Sequence, residues 1–350
     1  MVTVKVRKEY FTLLLIFLFT FLLFRFPDEM KSGINKGLII CFQTIFPSLF
    51  PFLVLSAYIT KSRVLSPIYR ILAPATRIIF RQPACTVSVI ILSMIGGFPV
   101  GIKMVNDLFT MGEITENQAK RLCFFCMNAG PAFTITAVGG NMLKNPLAGM
   151  IIYLSLCISS MILGVLSRFL CDKKENKAIK KHHLSDLSCF SASVTSGINS
   201  ILGICGWVVL FSGLVECFNA INTNYFLDIF VKATVEVTGA CNEFAGKIPL
   251  PFFAFIIGFG GFCVHCQVLE CLKNCRVNYS HFLFCRVING CLSAVITYIF
   301  LFFIPIEIDV FANSGGIHPA PFSVSVWGFL ALILMCVIMI FDIDRKKKIC

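Results

Sequence analysis

Ser32-Gly33-Ile34-Asn35-Lys36-Gly37-Leu38-Ile39-Ile40-Cys41 returns as Ser196-Gly197-Ile198-Asn199-Ser200-Ile201-Leu202-Gly203-Ile204-Cys205, with seven of the ten positions identical. A second echo keeps the register: Gly96-Gly97-Phe98 reappears as Gly260-Gly261-Phe262, at the same offset of 164 residues. Two matched anchors at one offset are hard to credit to apolar composition alone. A duplicated membrane chain with Gly-interrupted apolar segments at corresponding places is the sequence signature of secondary-transporter architecture.

Composition agrees. Hydrophobic residues make up 57% of the 350 positions and the mean hydropathy is +0.85, which excludes an ordinary soluble domain. Apolar runs long enough to cross ~30 Å of hydrocarbon recur along the chain. The 30 Lys+Arg against 18 Asp+Glu sit mainly between these runs. That suits the positive-inside rule and argues against a nucleic-acid-binding surface. The eighteen cysteines lie largely inside apolar runs (Cys41, Cys157, Cys205, Cys336), where they act as small hydrophobes and stay reduced.

The basic start (Lys5, Arg7, Lys8) and the apolar run Tyr10 to Phe24 lack a small-residue cleavage site and read as an uncleaved first span. Gly33 to Tyr58 is apolar, with Pro47 and Pro51 expected to kink it. Between Lys61 and Arg81 the arginines at 63, 70, 77 and 81 share one helical face, broken at Pro67 and Pro74, as in a membrane-surface element on the cytoplasmic side. Ala84 to Val105 contains Gly96-Gly97-Phe98-Pro99-Val100-Gly101, which will not hold a straight helix. Thr115-Glu116-Asn117-Gln118 has capping-box spacing for the helix that follows. Leu122 to Leu143 is interrupted by Asn128-Ala129-Gly130-Pro131 and Gly139-Gly140, and Pro146 to Leu170 is a cleaner span. The second copy runs from Ser191 to Ile221, through a mixed segment with Asp228, Lys232, Glu236 and Glu243. Spans follow at Pro249 to Leu269 and His281 to Pro305, then the acidic link Glu307/Asp309, a last span Pro321 to Phe341, and the tail Arg345 to Lys348.

Loop charge speaks to topology. With a cytoplasmic N-terminus, five full crossings before Lys173 would put the basic Lys173 to His183 loop outside, against the rule. If Ala84 to Val105 dips in and returns, the Arg63–Arg81, Lys120-Arg121 and Lys173–Lys181 regions all become cytoplasmic, and copy two starts on the opposite side from copy one. A re-entrant mate at Gly260 would, however, place the basic tail outside. Whether the second Gly-Gly-Phe segment crosses or re-enters is left open by the sequence.

Lys103 follows the broken glycine turn, and a charge in or beside a membrane segment costs several kcal/mol unless paired or hydrated. It reads as an anion contact helped by free N–H groups at a broken helix end, or as a lysine snorkelling to the interface. Its counterpart 164 residues on is Gln267. Asn128 and Asn289 mark breaks in the spans after each Gly-Gly-Phe element, as ligand contacts or as helix-interior amides bonding a carbonyl. Glu236 and Thr238 suit a substrate or coupling-proton role, or an exposed loop. Cys263, His265, Cys266, Cys271 and Cys275 invite a zinc reading, but copy one has no thiol pair at metal spacing, and no metal is expected. No Walker loop or nucleophile–base arrangement appears, so no enzyme, catalytic residue or cofactor is expected.

The ordered set Phe46-Pro47-Ser48-Leu49-Phe50-Pro51-Phe52, Gly97-Phe98-Pro99-Val100-Gly101-Ile102-Lys103, Gly112-Glu113-Ile114-Thr115, Asn128-Ala129-Gly130-Pro131 and Glu236-Val237-Thr238-Gly239 resembles the YlbJ family of sporulation integral membrane proteins, in the nucleoside-recognition or gate-domain group. The resemblance runs from about Gly33 to the last span. It implies a spore-former's membrane protein that exports dipicolinic acid from the mother cell across the outer forespore membrane, with re-entrant hairpins and a midplane site. It points to Gly97, Pro99, Gly101, Lys103, Asn128, Glu236 and Thr238. The chain departs from the pattern where the second Gly-Gly-Phe continues as Cys263-Val264-His265-Cys266, and after Glu236, where Thr238-Gly239-Ala240-Cys241-Asn242 follows.

The expected fold is therefore an all-α polytopic membrane protein, an inverted internal repeat with broken or re-entrant Gly-rich helices and about eight membrane segments. Its parts are an N-terminal span (1–31), a first gate-like repeat (32–170), a basic cytoplasmic loop (171–190), a second repeat (191–305), and a linker, last span and basic tail (306–350). The expected substrate site joins Gly96, Gly97, Phe98, Pro99, Gly101 and Lys103 to Gly260, Gly261 and Gln267, with Asn128, Glu236 and Thr238; Phe98 or Phe262 would stack on an aromatic cargo. Expected partners are a small organic anion, the lipid bilayer and a coupling ion or proton, with no nucleic acid; a homo-oligomer is left open. Rival readings are an ion-coupled nucleoside-type transporter, in which Glu236 outweighs Lys103, and a non-transporting scaffold for spore-envelope assembly.

Overall fold

The computed structural model describes residues 13, 16–62, 66–170, 186–221 and 232–306 other than 273 and 276. The basic start, Arg63, the Lys173–His183 loop, Asp228, the Glu307/Asp309 link, the last span and the basic tail lie outside the described residues. Among the described residues every regular element is helical. Five helices are long and apolar enough to cross a membrane, or six if the bent pair Pro67–Phe80 and Ala84–Ile95 is one span.

The first is α1 (Ile16–Arg25), a short apolar helix. It leads into α2 (Pro27–Ser62), 36 residues long. The expected proline kinks do not break α2. A π-helical stretch, Cys41–Ile45, precedes Pro47, and its wider turn absorbs the missing donor and the ring clash that Pro47 brings. Next comes α3 (Pro67–Phe80), which begins at Pro67, holds Pro74 internally, and meets α4 (Ala84–Ile95) at 94°. Arg70 and Arg77 on α3 are exposed beside exposed Ile71 and Ile78, the mixed surface expected of an element lying at a membrane interface.

The Gly96-Gly97 break folds the chain back. Gly97 has φ 89°, a left-handed conformation that a side chain would strain. After it, α5 (Phe98–Thr110) returns against α4 so tightly that a Cβ at Gly101 would collide with Ser93 Cβ and Cys126 O. The expected re-entrant turn is present. The expected capping box opens α6 (Glu116–Phe125): Gln118 N–H donates to Thr115 Oγ1 at 3.3 Å and Thr115 N–H to Gln118 Oε1 at 2.9 Å. The Leu122–Leu143 stretch is not one helix. It breaks at Asn128–Pro131 and resumes as α7 (Ala132–Met142), wound as a π-helix. A clean 22-residue span follows in α8 (Pro146–Ser167), capped by Asn145.

Copy two opens with α9 (Asp186–Ala220), 35 residues. It runs antiparallel to α2 along the whole length of both: Cys217 donates to Phe26 O, Lys36 pairs with Glu216 at 2.8 Å, Lys61 Nζ donates to Ala192 O at 2.9 Å, and Tyr58 stacks edge-on against Phe190. At the centre of this crossing Cys41 Sγ donates to Cys205 O at 3.7 Å. These are equivalent residues of the two repeats. Gly33 makes the close approach possible: a Cβ there would lie 2.7 Å from Gly213 Cα.

After α10 (Val237–Phe244), α11 (Leu250–Phe259) and α12 (Gly261–Cys271) are joined at Gly260 and Gly261, with φ 91° and 69°. Here the copies differ. Leu250–Cys271 forms a 22-residue stretch long and apolar enough to cross, whereas α4–α5 folds back. The last described helix is α13 (Tyr279–Phe303), capped by Asn278 and packed on α8 and α11.

Candidate functional site

Four irregular segments converge between the helices. Gly130 sits against Ile95 O and Gly97 N, so the Asn-Ala-Gly-Pro break touches the first Gly-Gly-Phe break. A Cβ on Gly260 would lie 3.3 Å from Met127 Cε and 3.7 Å from Phe98 Cε1, and one on Gly261 would lie 3.4 Å from Thr234 O, Val235 O and Val237 N. Gly96, Gly97, Phe98, Gly260 and Gly261 therefore meet, with the stretch before Glu236 beside them. Of the two phenylalanines, Phe98 is partly buried and Phe262 is exposed.

Beside this knot is a cavity of about 620 Å³ between α2, α9 and α10, lined by Lys36, Glu216, Lys232, Glu236, Thr238 and Glu243, with Ser212, Asn219 and Asn242. Lys36 and Glu216 form one ion pair and Lys232 and Glu243 another, each at 2.8 Å. Glu236 caps α10: its carboxylate accepts from Thr238 N–H at 2.8 Å and from Gly239 N–H, holding negative charge where the helix end favours it.

The other candidates lie elsewhere. Lys103 is 4% exposed and its ammonium donates to Asp107 Oδ2 at 2.8 Å and Ser196 Oγ at 2.7 Å. It does not line the cavity. Pro99 and Gly101 are buried in the first two turns of α5. Gln267 donates to Cys263 Sγ at 3.3 Å. Asn128 is buried, with Nδ2 donating to Phe125 O at 3.1 Å and Oδ1 accepting from Ser160. Both ends of that amide are thus committed inside the protein, the helix-linking alternative raised by the sequence.

The Cys/His cluster does not converge: among the described residues no group of three His, Cys, Asp or Glu is placed to hold a metal. His265 instead bonds Phe259 O through Nε2 at 2.9 Å and packs against the Phe259 and Phe282 rings. Burial pushes the Cys275 thiol, in the α12–α13 connection, up to about 11, so it stays protonated at neutral pH.

Two buried arginines escaped the sequence reading. Arg286 is wholly buried in α13 and donates to Met127 O at 2.9 Å and to Gly258 O. Asn289, one turn on, donates to Gly258 O at 3.2 Å. Arg121, expected in a cytoplasmic loop with Lys120, is instead buried; it donates to Ser167 O at 3.1 Å, Arg81 O at 3.2 Å and Phe80 O. Each guanidinium gathers carbonyls from helix ends, where partial negative charge collects, and so offsets the cost of a buried cation without a carboxylate partner. The signal for Arg286 was available: it is the lone charge between Tyr279 and Phe303.

Several apolar helices with wholly buried polar groups, broken at glycines whose tips meet, define a multi-pass integral membrane protein. Sporulation integral membrane protein YlbJ of Bacillus subtilis (strain 168) is 22% identical to this chain over an alignment covering 77% of each. The chain belongs to the YlbJ family of sporulation integral membrane proteins. No protein-family profile matches it, and no solved structure does.

Proposed function

We propose that the protein is a sporulation transporter moving a small organic anion, with dipicolinate the first cargo to test, from the mother cell across the outer forespore membrane. The observation that carries this reading is the meeting of the Gly97, Gly130 and Gly260 breaks beside a polar cavity of about 620 Å³. Irregular backbone inside a membrane protein is tolerated where it is buried in protein or lines a cavity, and transporters place their sites there.

The crossing of α2 and α9 at equivalent residues supports an inverted repeat. A two-fold axis through the Cys41–Cys205 contact that exchanges antiparallel helices must run across them. If those helices span the bilayer, the axis lies in its plane. The helices α5 and α12 run side by side in the same direction, Phe98 near Gly260 and Asn106 near Asn274. One axis serves both pairs when α5 and α12 lie along it. Rocking one copy against the other would then expose the site alternately.

A second reading has one observation in its favour. The cavity lining holds three carboxylates against two ammoniums, a balance that suits a neutral, nucleoside-like solute coupled to a cation better than a dianion. Flux of labelled dipicolinate and of labelled nucleosides into liposomes carrying the purified protein separates the two. Dipicolinate flux supports the first reading; nucleoside flux lost in Glu236→Gln, with no dipicolinate flux, replaces it with the second.

A further inference from the structure

The Lys103 ammonium is part of a larger cluster than the sequence suggested, well away from the cavity. Lys103 and Asp107 project from α5, Lys61 from the end of α2, and Ser196 from α9. Lys103 Nζ reaches Ser196 Oγ at 2.7 Å and Lys61 Nζ reaches Ala192 O at 2.9 Å. Ala192 and Ser196 are one helical turn apart, so the two ammoniums are anchored about 6 Å apart along α9. Asp107 pairs with Lys103 at 2.8 Å and also acts electrostatically on Lys61. Two ammoniums thus share one carboxylate, in a place where the Lys103 side chain is 5% and Asp107 17% exposed.

A net positive charge left inside a membrane protein is expensive. Packing does not demand it: the positions 164 residues after Lys103 and Asp107 are Gln267 and Cys271, and that before Ser196 is Ser32. Copy two keeps the polar or small character and omits every charge.

We propose that Lys61, Lys103 and Ser196 form a binding site for a small dicarboxylate, in which Asp107 stands in for the ligand when the site is empty. An incoming carboxylate takes the Lys103 and Ser196 contacts, and a second carboxylate on the same planar molecule reaches Lys61 a turn away. Asp107 is released from its ion pair. Because α2 and α5 belong to copy one and α9 to copy two, exchanging Asp107 for a ligand changes how the copies are held together. That links occupancy to the rocking motion. This inference rests on the organic-anion reading and adds to it Lys61, Ser196 and Asp107.

The test is calorimetric titration of the full-length protein in nanodiscs with dipicolinate, isophthalate and phthalate, each alone. Losing one charge-assisted contact corresponds to a loss of about tenfold or more, so Lys61→Met and Lys103→Met should each weaken binding by about that factor. Asp107→Asn should tighten it severalfold, because it removes the internal competitor, while Arg70→Met on the exposed surface should change nothing. A merely structural ion pair predicts the opposite sign for Asp107→Asn. The proposal is overturned if none of the three dicarboxylates binds, if Lys61→Met binds like the parent protein, or if Asp107→Asn weakens binding as Lys103→Met does. Binding of isophthalate but not dipicolinate, still dependent on Lys61, would uphold the site and remove dipicolinate as the cargo.

Discussion

Replacing Gly33 with alanine tests the crossing of the two repeats directly. An alanine Cβ at that position would lie 2.7 Å from Gly213 Cα and 2.9 Å from Glu216 Cγ, and closer still to Ser212 O. Two of these neighbours are backbone atoms of α9, so no side-chain rotation relieves the clash. Restoring ordinary contact requires α2 and α9 to part by roughly 0.7 to 1 Å, and a gap of that size forfeits a quarter to a half of each dispersion contact along the seam. Overpacking of this kind costs about 1–3 kcal/mol, partly offset by up to about 1 kcal/mol of helix propensity gained on replacing glycine. A net loss of about 1–2 kcal/mol is expected, roughly a five- to thirtyfold drop in the folded fraction ratio. Gly206→Ala is the matched control, since no atom lies within 4 Å of its Cβ position; it should be neutral or slightly stabilising. Unfolding by increasing SDS mole fraction in mixed micelles measures both. A Gly33→Ala protein as stable as the parent would refute the close antiparallel packing.

Two further outcomes follow from the same contacts. Arg286→Met strands the carbonyls of Met127 and Gly258 and should destabilise the protein by about 3 kcal/mol or more, with Arg286→Lys losing less; equal stability of Arg286→Met and the parent would remove the pinning role. A short thiol-reactive cross-linker should join Cys41 to Cys205 in a variant whose other cysteines are replaced, and should fail in a Cys41→Ser control; absence of the cross-link in folded protein would contradict the central crossing of the repeats.

Much of the architecture was legible locally. The Thr115–Gln118 capping box, the re-entrant break at Gly96-Gly97 and the interruption at Asn128–Pro131 all follow from residues adjacent in sequence, whose backbone preferences act without partners. The prolines of α2 misled, because the π-helical turn at Cys41–Ile45 accommodates them; its formation depends on the helices packed around it. The site was legible in part. Gly97, Phe98, Gly260 and Gly261 meet as expected, and Glu236 and Thr238 reach the cavity, but Lys103 and Asn128 turn to other partners.

By itself the sequence determined that the chain lives in a bilayer, that one membrane unit was copied, and where each copy breaks. Hydropathy, repetition and glycine content are properties of the chain taken one stretch at a time. Only the tertiary structure decided that α2 and α9 cross head to tail at Cys41 and Cys205, and that the first Gly-Gly-Phe folds back while the second lies within a span-length stretch. It also placed Lys103 with Asp107 and Ser196, and Arg286 on two broken helix ends. These are pairings between residues far apart in sequence. A buried charge is costly enough to need partners, but nothing in its own neighbourhood names them.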